Sequence, residues 1–271
     1  MSEDEKGTKK HTNEEDLILD DVEIIDFEEM NLSGATVIVG FPSIGLVSTI
    51  VTNYLIDAFD LKQIGALNSS GFPALSVVHT GEPLSSVRIY AGTMEMGKKI
   101  VVFVSEFKPK SHLIYSISNT VMKWVQEKKC NLLISPEGMV VERKEDNSSD
   151  DENIADAFAI GSTEKAGVMI NEEKIPQFKD GIIAGVSGVL LNIGKQADFD
   201  VISILTEAHP DIPDAGSAIS ALNIISKIIN IEINIGPLNE EAERIEKQLK
   251  KIHKQAKPME SNRVSKPSIY G

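Results

Sequence analysis

The feature that most constrains the fold is a series of short apolar runs, rich in β-branched residues, that alternate with amphipathic helical runs. Residues 100–104 read Ile-Val-Val-Phe-Val, and residues 35–39 and 201–205 are of the same kind. Strands that are apolar on both faces are typical of a parallel sheet buried between layers of helices. The sequence therefore predicts an α/β fold, in which residues 32–235 form one domain with a single, largely parallel sheet covered by helices.

Shorter signals complete the predicted order of elements. Turn residues at 80–83 separate two β-prone runs, so residues 75–79 and 87–90 are predicted to pair as a hairpin. The other predicted strands are residues 64–67, 132–134, 158–160 and 168–170. The predicted helices, identified by apolar residues that recur along one face, begin after residue 45 and cover residues 111–128, 189–195 and 215–229.

The charge of the chain argues against nucleic acid as a partner. The net charge is -14, and residues 1–30 hold twelve acidic residues against three lysines. A nucleic-acid-binding surface needs clustered lysine and arginine, which this chain lacks. Residues 1–31 are predicted to form an acidic, partly disordered arm, and the acidic residues 142–156 are predicted to form an exposed loop.

Composition also bears on where the protein works. No apolar run reaches the roughly 18 residues that a membrane-spanning helix needs, and residues 1–21 lack the apolar centre of a signal peptide. Cys130 is the single cysteine, so it has no partner for an internal disulfide or a cysteine-based zinc site. These features predict a cytoplasmic protein with no membrane contact.

An amphipathic helix is predicted over residues 236–256, with Asn239 as its N-cap. Its apolar residues recur at alternating steps of four and three, which is the seam pattern of a coiled coil. The residues of this seam are Leu238, Ala242, Ile245, Leu249, Ile252 and Ala256. An isolated helix of this length is marginal in water, so the seam is expected to pack either against the body of its own chain or against the same helix of another subunit.

The chain ends in a polar, proline-bearing segment, residues 257–268, predicted to be a flexible linker, followed by Ile269, Tyr270 and Gly271. An aromatic residue next to the terminal carboxylate has two interpretations. One is an ordinary frayed terminus. The other is a peptide that docks in a partner, because capture of a C-terminal carboxylate with its preceding side chains is a recurring mode of recognition.

Residues 40–45, Gly-Phe-Pro-Ser-Ile-Gly, follow a predicted strand and are the best candidate for a phosphate-binding or nucleophile turn. A Walker loop requires Gly-Lys followed by Ser or Thr, and a dinucleotide fingerprint requires a third glycine. A nucleophile elbow requires glycine where Phe41 stands. Each template lacks an essential residue, so the favoured interpretation is a tight turn from strand to helix.

Residues 207–214, Glu-Ala-His-Pro-Asp-Ile-Pro-Asp, also follow a predicted strand, where α/β sheets place their sites. Their carboxylates and His209 suit metal binding or acid–base chemistry, but the prolines extend the backbone, and Asp214 is a natural N-cap for the helix that starts at Ala215. The glycines of residues 185–188 resemble an anion-binding helix start, and close packing of helix on sheet explains them as well. No cofactor or metal is predicted.

Three stretches carry a family resemblance. Residues 37–47 read Val-Ile-Val-Gly-Phe-Pro-Ser-Ile-Gly-Leu-Val, residues 181–191 read Gly-Ile-Ile-Ala-Gly-Val-Ser-Gly-Val-Leu-Leu, and residues 207–215 read Glu-Ala-His-Pro-Asp-Ile-Pro-Asp-Ala. In this order they resemble the archaeal proteasome assembly chaperone family, over roughly residues 35–229. The resemblance implies a nucleoside phosphorylase-like α/β body without known catalysis, and homo-oligomers that contact the proteasome core particle.

The same resemblance implies a function for the last three residues. In that family and in the proteasomal ATPases, a C-terminal hydrophobic-Tyr-any motif docks between α subunits of the core ring, and Ile269, Tyr270 and Gly271 match it position by position. The leading hypothesis is an ATP-independent protein, not an enzyme, that binds the α ring as an assembly chaperone or gate-opening activator. The alternatives are a nucleoside- or nucleotide-handling enzyme that uses residues 40–45 or 207–214, and an oligomeric scaffold with an inert tail.

Overall fold

The computed structural model describes residues 22–140 and 157–240, in which strands and helices alternate. In chain order, the strands are β1 (Glu23–Asp26), β2 (Thr36–Gly40), β3 (Lys62–Asn68), β4 (Val77–His79), β5 (Glu82–Leu84), β6 (Val87–Thr93), β7 (Lys99–Ser105), β8 (Leu132–Met139), β9 (Ala157–Gly161) and β10 (Val201–Glu207). The helices are α1 (Val47–Ala58), α2 (Ser111–Glu127), α3 (Glu164–Glu172), α4 (Gly185–Ala197) and α5 (Ala215–Ile229). Within these described ranges, no helix has the length and apolar character needed to cross a membrane.

Eight strands form one sheet, in the order β1-β3-β6-β7-β2-β8-β10-β9. The four central strands β7, β2, β8 and β10 are parallel to one another, and antiparallel strands extend the sheet on both sides. The predicted α/β class, with a largely parallel sheet covered by helices, is confirmed. The finer likeness to the nucleoside phosphorylase fold stays a prediction.

Helices cover both faces of the central strands and create two cores. Along β2, Val37 and Val39 face the core formed with α2 and α4, whereas Ile38 faces the core formed with α1 and α5. This alternation follows from the two-residue period of a strand. All three side chains are at most 1% exposed, which explains why the strand has no polar face.

Residues 168–170, predicted as a strand, belong to α3, so this prediction is wrong. The Thr163 hydroxyl accepts a hydrogen bond from the Ala166 N–H and caps the helix. Ala166 and Ile170 are buried one turn apart, whereas Val168 is 47% exposed. A run of three apolar residues fits either a strand or a helix, and burial at a spacing of four residues decides for the helix.

The predicted pairing of residues 75–79 with residues 87–90 is also wrong. β4 pairs with β5 in a separate two-stranded sheet, while β6 lies in the main sheet between β3 and β7. Thr80 and Gly81 have φ angles of 48° and 86°, as the two central residues of a tight hairpin turn require. Such a turn pairs β4 with the residues that follow it immediately and leaves β6 free to join the sheet.

The last part of the acidic arm contributes an edge strand. β1 pairs with β3, and the Asp26 carboxylate accepts hydrogen bonds from the Trp124 ring N–H at 3.0 Å and the Lys128 ammonium at 2.6 Å. These contacts fasten the strand to α2 and to the residue that follows this helix. Residues 1–21 lie outside the described residues.

Residues 236–240 are helical and begin the predicted C-terminal helix. Leu238, the first residue of the seam, is buried in the core formed with α1 and α5. Asn239 is not the N-cap, because the helix begins earlier, where the Asn234 side chain accepts a hydrogen bond from the Gly236 N–H at 3.1 Å. The other seam residues and the predicted loop lie outside the described residues: Ala242, Ile245, Leu249, Ile252, Ala256 and residues 142–156.

Candidate functional site

Two of the sequence motifs meet at the carboxyl ends of the parallel strands. Residues 40–45 include the end of β2 and the turn after it, residues 207–214 include the last residue of β10 and the segment after it, and β8 lies between these two strands. The Asp214 N–H donates a hydrogen bond to the Gly45 carbonyl at 2.8 Å, and a Cβ on Gly45 would lie 2.9 Å from the Ala208 Cβ. Open α/β sheets bind ligands at this edge, so a small-molecule site is expected here if the protein has one.

The hydroxyl of Ser43, within the first turn, is engaged in contacts inside the protein. Its oxygen accepts hydrogen bonds from the N–H groups of Ser48 and Gly138, each at 3.3 Å, and it lies 2.7 Å from the Ser48 hydroxyl. The Ser48 hydroxyl also lies 2.7 Å from the Pro136 carbonyl. These bonds tie the turn and α1 to β8. The favoured interpretation of residues 40–45, a tight turn from strand to helix, is confirmed.

Close packing explains the glycines at this edge of the sheet. A Cβ on Gly138 would lie 2.0 Å from the Ile44 carbonyl oxygen, and a Cβ on Gly188 would lie 2.0 Å from the Ile183 carbonyl oxygen. Such distances are far inside van der Waals contact. For Gly188 the close contact is with the loop residue just before α4, so packing of helix on sheet, one of the two interpretations of residues 185–188, stays a prediction.

Asp214 performs the capping role predicted from the sequence. Its side chain accepts hydrogen bonds from the Ser217 N–H at 2.9 Å and the His209 N–H at 3.0 Å, and it lies 2.7 Å from the His209 ring Nδ1. Burial acts to raise the pKa of Asp214, but these hydrogen bonds outweigh it and lower the pKa. Across residues 22–140 and 157–240, no three His, Cys, Asp or Glu side chains are grouped so that they can hold a metal ion.

Glu137, a half-buried side chain near the end of β8, has no motif signal in the sequence. Burial raises the pKa of this carboxyl to about 8, an effect that the Lys108 ammonium partly opposes. The one sequence feature that points to it is a carboxylate three residues after an apolar run, because β8 continues beyond the predicted residues 132–134 to Met139. Near neutral pH the carboxyl keeps its proton, so it can donate as well as accept a hydrogen bond.

The raised pKa of Glu137 is expected to make the protein less stable as pH rises. An ordinary glutamate has a pKa of 4.5, so between this value and about 8 the folded state binds a proton that the unfolded state has lost. The difference between the two pKa values corresponds to about 5 kcal/mol, and partial exposure of the side chain to solvent reduces this figure. We expect Glu137→Gln, which cannot ionise, to flatten the dependence and to exceed the parent in free energy of unfolding by at least about 2 kcal/mol at about pH 9. Urea unfolding at several pH values measures the difference.

The matched control is Glu127→Gln, because the Glu127 side chain is 61% exposed on α2. This variant is expected to keep the pH dependence of the parent. If Glu137→Gln also keeps the pH dependence of the parent, the Glu137 carboxyl ionises in the folded protein as easily as in the unfolded chain. Burial then does not raise its pKa.

Solved structures define the class of protein to which this fold belongs. The chain matches Pyrococcus furiosus PbaA, described as an archaeal homolog of proteasome-assembly chaperone, with a TM-score of 0.75 and 25% identity over 87% of this chain and 93% of PbaA. It also matches Pyrococcus furiosus PbaB, described as an archaeal proteasome activator, with a TM-score of 0.74 and 21% identity over 86% of this chain and 99% of PbaB. The body therefore has the fold of the archaeal proteasome-assembly-chaperone homologues.

Sequence comparison agrees with this class. The PAC2 family model matches residues 37–253, and MJ0106, an uncharacterized protein of Methanocaldococcus jannaschii, is 26% identical over 255 residues, covering 93% of this chain and 100% of that protein. The chain belongs to the PAC2 family. The family resemblance carried by the three sequence motifs is confirmed. The docking residues Ile269, Tyr270 and Gly271 lie outside the described residues, and their role stays a prediction.

Proposed function

We propose that this protein binds the proteasome core particle without using ATP, as an assembly chaperone or a gate-opening activator, and that it is not an enzyme. The observation that carries the proposal is the match to the assembly-chaperone homolog PbaA over nearly the whole of both chains. PAC2 family membership supports it. The partner surface is the α ring of the core particle in the cytoplasm.

The carboxyl ends of the strands support a binding role over a catalytic one. The Ser43 hydroxyl ties the first turn to β8, Asp214 caps α5, and a Cβ on Gly138 or Gly188 would collide with backbone. Groups that nucleophilic or phosphate chemistry would use are thus committed to holding the fold. We therefore expect partner recognition to use surfaces away from residues 40–45.

The tail has the chemistry of a docking peptide. The Gly271 carboxylate would pair with a lysine of the partner through a charge-assisted contact, and Tyr270 would add a large apolar surface with a polar end. One three-residue contact is weak, so several tails on one oligomer are needed, because linked contacts raise the effective concentration. As a flexible coil, the linker over residues 257–268 reaches roughly 20 Å.

Homo-oligomer formation through the C-terminal helix would gather these tails. Leu238 is buried in the body of its own chain, so the seam available to another subunit lies beyond it. The seam residues that would meet in an oligomer are Ala242, Ile245, Leu249 and Ile252.

Co-sedimentation of the full-length protein with its own core particle tests this function. Deletion of residues 269–271 and Tyr270→Ala are each expected to lower the affinity at least about tenfold, because aromatic anchors dominate small interfaces. Ser268→Ala, which leaves the last three residues intact, is the control and should bind like the parent. Full binding by Tyr270→Ala would contradict docking through the tail, and a higher melting temperature with nucleosides and phosphate would favour an enzyme.

A further inference from the structure

An open cavity of about 360 Å³ lies between β9, α4 and residues 176–183. Its lining combines apolar and polar side chains, and the residues that matter for its chemistry are Ile160, Phe178, Leu191, Lys179, Asn192 and Lys195. None of these six residues belongs to residues 40–45 or 207–214, so the cavity is distinct from the two turns that meet at the carboxyl ends of the strands.

Backbone contacts hold the walls of this cavity in place. The Ala159 N–H donates to the Pro176 carbonyl, and the Phe178 N–H donates to the Ala159 carbonyl, both at 2.9 Å. A Cβ on Gly181 would lie 2.3 Å from the Phe178 ring, so glycine is needed for the chain to pass this close. Because its walls are already ordered, the cavity loses little conformational entropy when a ligand binds.

The lining selects a ligand that carries a carboxylate next to an apolar or aromatic side chain. Lys179 and Lys195 are exposed, and neither pairs with a carboxylate in the part of the chain that the structure describes. The Asn192 amide adds a hydrogen-bond donor, while Phe178 and Leu191 supply apolar surface. Charge-assisted contacts to the lysines and burial of the apolar group would act together.

The last three residues of the chain have this combination, with the terminal carboxylate on Gly271 after Ile269 and Tyr270. Residues 17–21 are apolar and acidic too, but they are tethered to β1, at the opposite edge of the sheet from β9. Seven strand spacings amount to about 33 Å, whereas five extended residues span at most about 17 Å. Residues 141–156 contain no aromatic side chain.

The tail is long enough to reach the cavity. The 31 residues after Glu240 include the rest of the predicted helix, which would add about 24 Å over 16 residues, and 15 further residues that span at most about 50 Å when extended. The whole eight-stranded sheet is about 34 Å wide. The extended limit, about 75 Å in all, exceeds this width about twofold, so the end of the chain can reach β9.

We infer that the cavity captures the C-terminal tail of its own chain, with the Gly271 carboxylate paired to Lys179 and Lys195 and the Tyr270 ring on the apolar lining. This capture goes beyond the proposed function and does not depend on it. Its consequence, that a captured tail is withheld from the core particle until the two sites compete for it, rests on the proposed function.

A labelled peptide of residues 257–271 tests the capture in the absence of any core particle. The receptor is the full chain lacking only residues 269–271, so that its own tail cannot compete. By fluorescence anisotropy, the peptide with a free carboxylate is expected to bind at least about tenfold more tightly than the same peptide with an amidated end. The unaltered full chain is expected to bind the peptide at least about tenfold more weakly than the receptor, because its own tail occupies the cavity.

Charge reversal in the receptor locates the binding site. Lys195→Glu is expected to weaken binding of the free-acid peptide at least about tenfold. Lys227→Glu is the control, because it also changes an exposed lysine in the last turn of a helix, on the opposite face of the sheet, and it should bind like the receptor. The inference is wrong if the peptide does not bind, if the free-acid and amidated peptides bind equally, or if Lys195→Glu binds like the receptor. None of these outcomes affects the co-sedimentation test of the proposed function.

Discussion

Replacing Gly138 with alanine is expected to lower the free energy of unfolding by about 3 kcal/mol, because the new methyl group has no room. Its Cβ would lie 2.0 Å from the Ile44 carbonyl oxygen and 2.9 Å from the Ile44 carbonyl carbon. Both are backbone atoms, so relief requires the turn after β2 to move away from β8. That movement would also break the hydrogen bond from the Gly138 N–H to the Ser43 hydroxyl. Urea unfolding followed by circular dichroism measures the loss.

Gly167→Ala is the matched control for this substitution. Gly167 lies within α3, and a Cβ at this position would meet nothing within 4 Å. Since alanine favours the helix over glycine by about 1 kcal/mol, this variant should be more stable than the parent. A Gly138→Ala protein as stable as the parent would mean that the turn and β8 are not in the contact described.

Glu106→Gln is expected to have the second large effect, because it leaves the buried charge of Arg88 without its carboxylate partner. Arg88 is 5% exposed and donates to the Glu106 carboxylate at 2.5 Å, the Ser85 carbonyl at 2.9 Å and the Tyr90 hydroxyl at 3.2 Å. Breaking a fully buried ion pair costs about 3–5 kcal/mol. Because the Glu106 side chain is 32% exposed, we expect a smaller loss of about 2–3 kcal/mol in the free energy of unfolding.

Glu28→Gln provides the comparison for an exposed pair. Glu28 lies 2.7 Å from Lys62, with side chains 45% and 67% exposed, and solvent screening limits the expected loss to less than about 1 kcal/mol. Adding Arg88→Met to Glu106→Gln removes the buried charge as well and should recover part of the loss. Urea unfolding measures the free energy of unfolding of each variant. Equal losses for Glu28→Gln and Glu106→Gln would show that burial of Arg88 does not strengthen its ion pair.

Local periodicity predicts those elements whose burial is uniform along their length. Residues 100–104 and 215–229 lie in β7 and α5 as expected, because an unbroken apolar run and a long one-sided stripe each favour one structure. Residues 168–170 are mispredicted because three apolar residues fit either period, and packing of α3 against β9 decides between them. The hairpin error has a different cause, since turn geometry at Gly81 outweighs the stronger β propensity of residues 87–90.

The candidate site is less predictable because it depends on which strands are neighbours. Asp214 is correctly predicted as a cap, since capping involves residues only three positions apart. The contact between Gly45 and Asp214 requires that β8 alone separates β2 from β10, and no local pattern contains this order. The pKa of Glu137 depends on burial by distant segments and on Lys108, so only the assembled fold reveals it.

The central position of β2 has a consequence for how the chain acquires its structure during synthesis. β2 comes first among the parallel strands, yet Thr36 lies between Ile100 of β7 and Leu132 of β8. A growing chain therefore carries an apolar strand without its second neighbour until about a hundred further residues have been added, and pairing over such distances is slow and exposed to aggregation. Translation through Ile134, the last residue of β8 that pairs with β2, is the earliest point at which both edges of β2 can be closed.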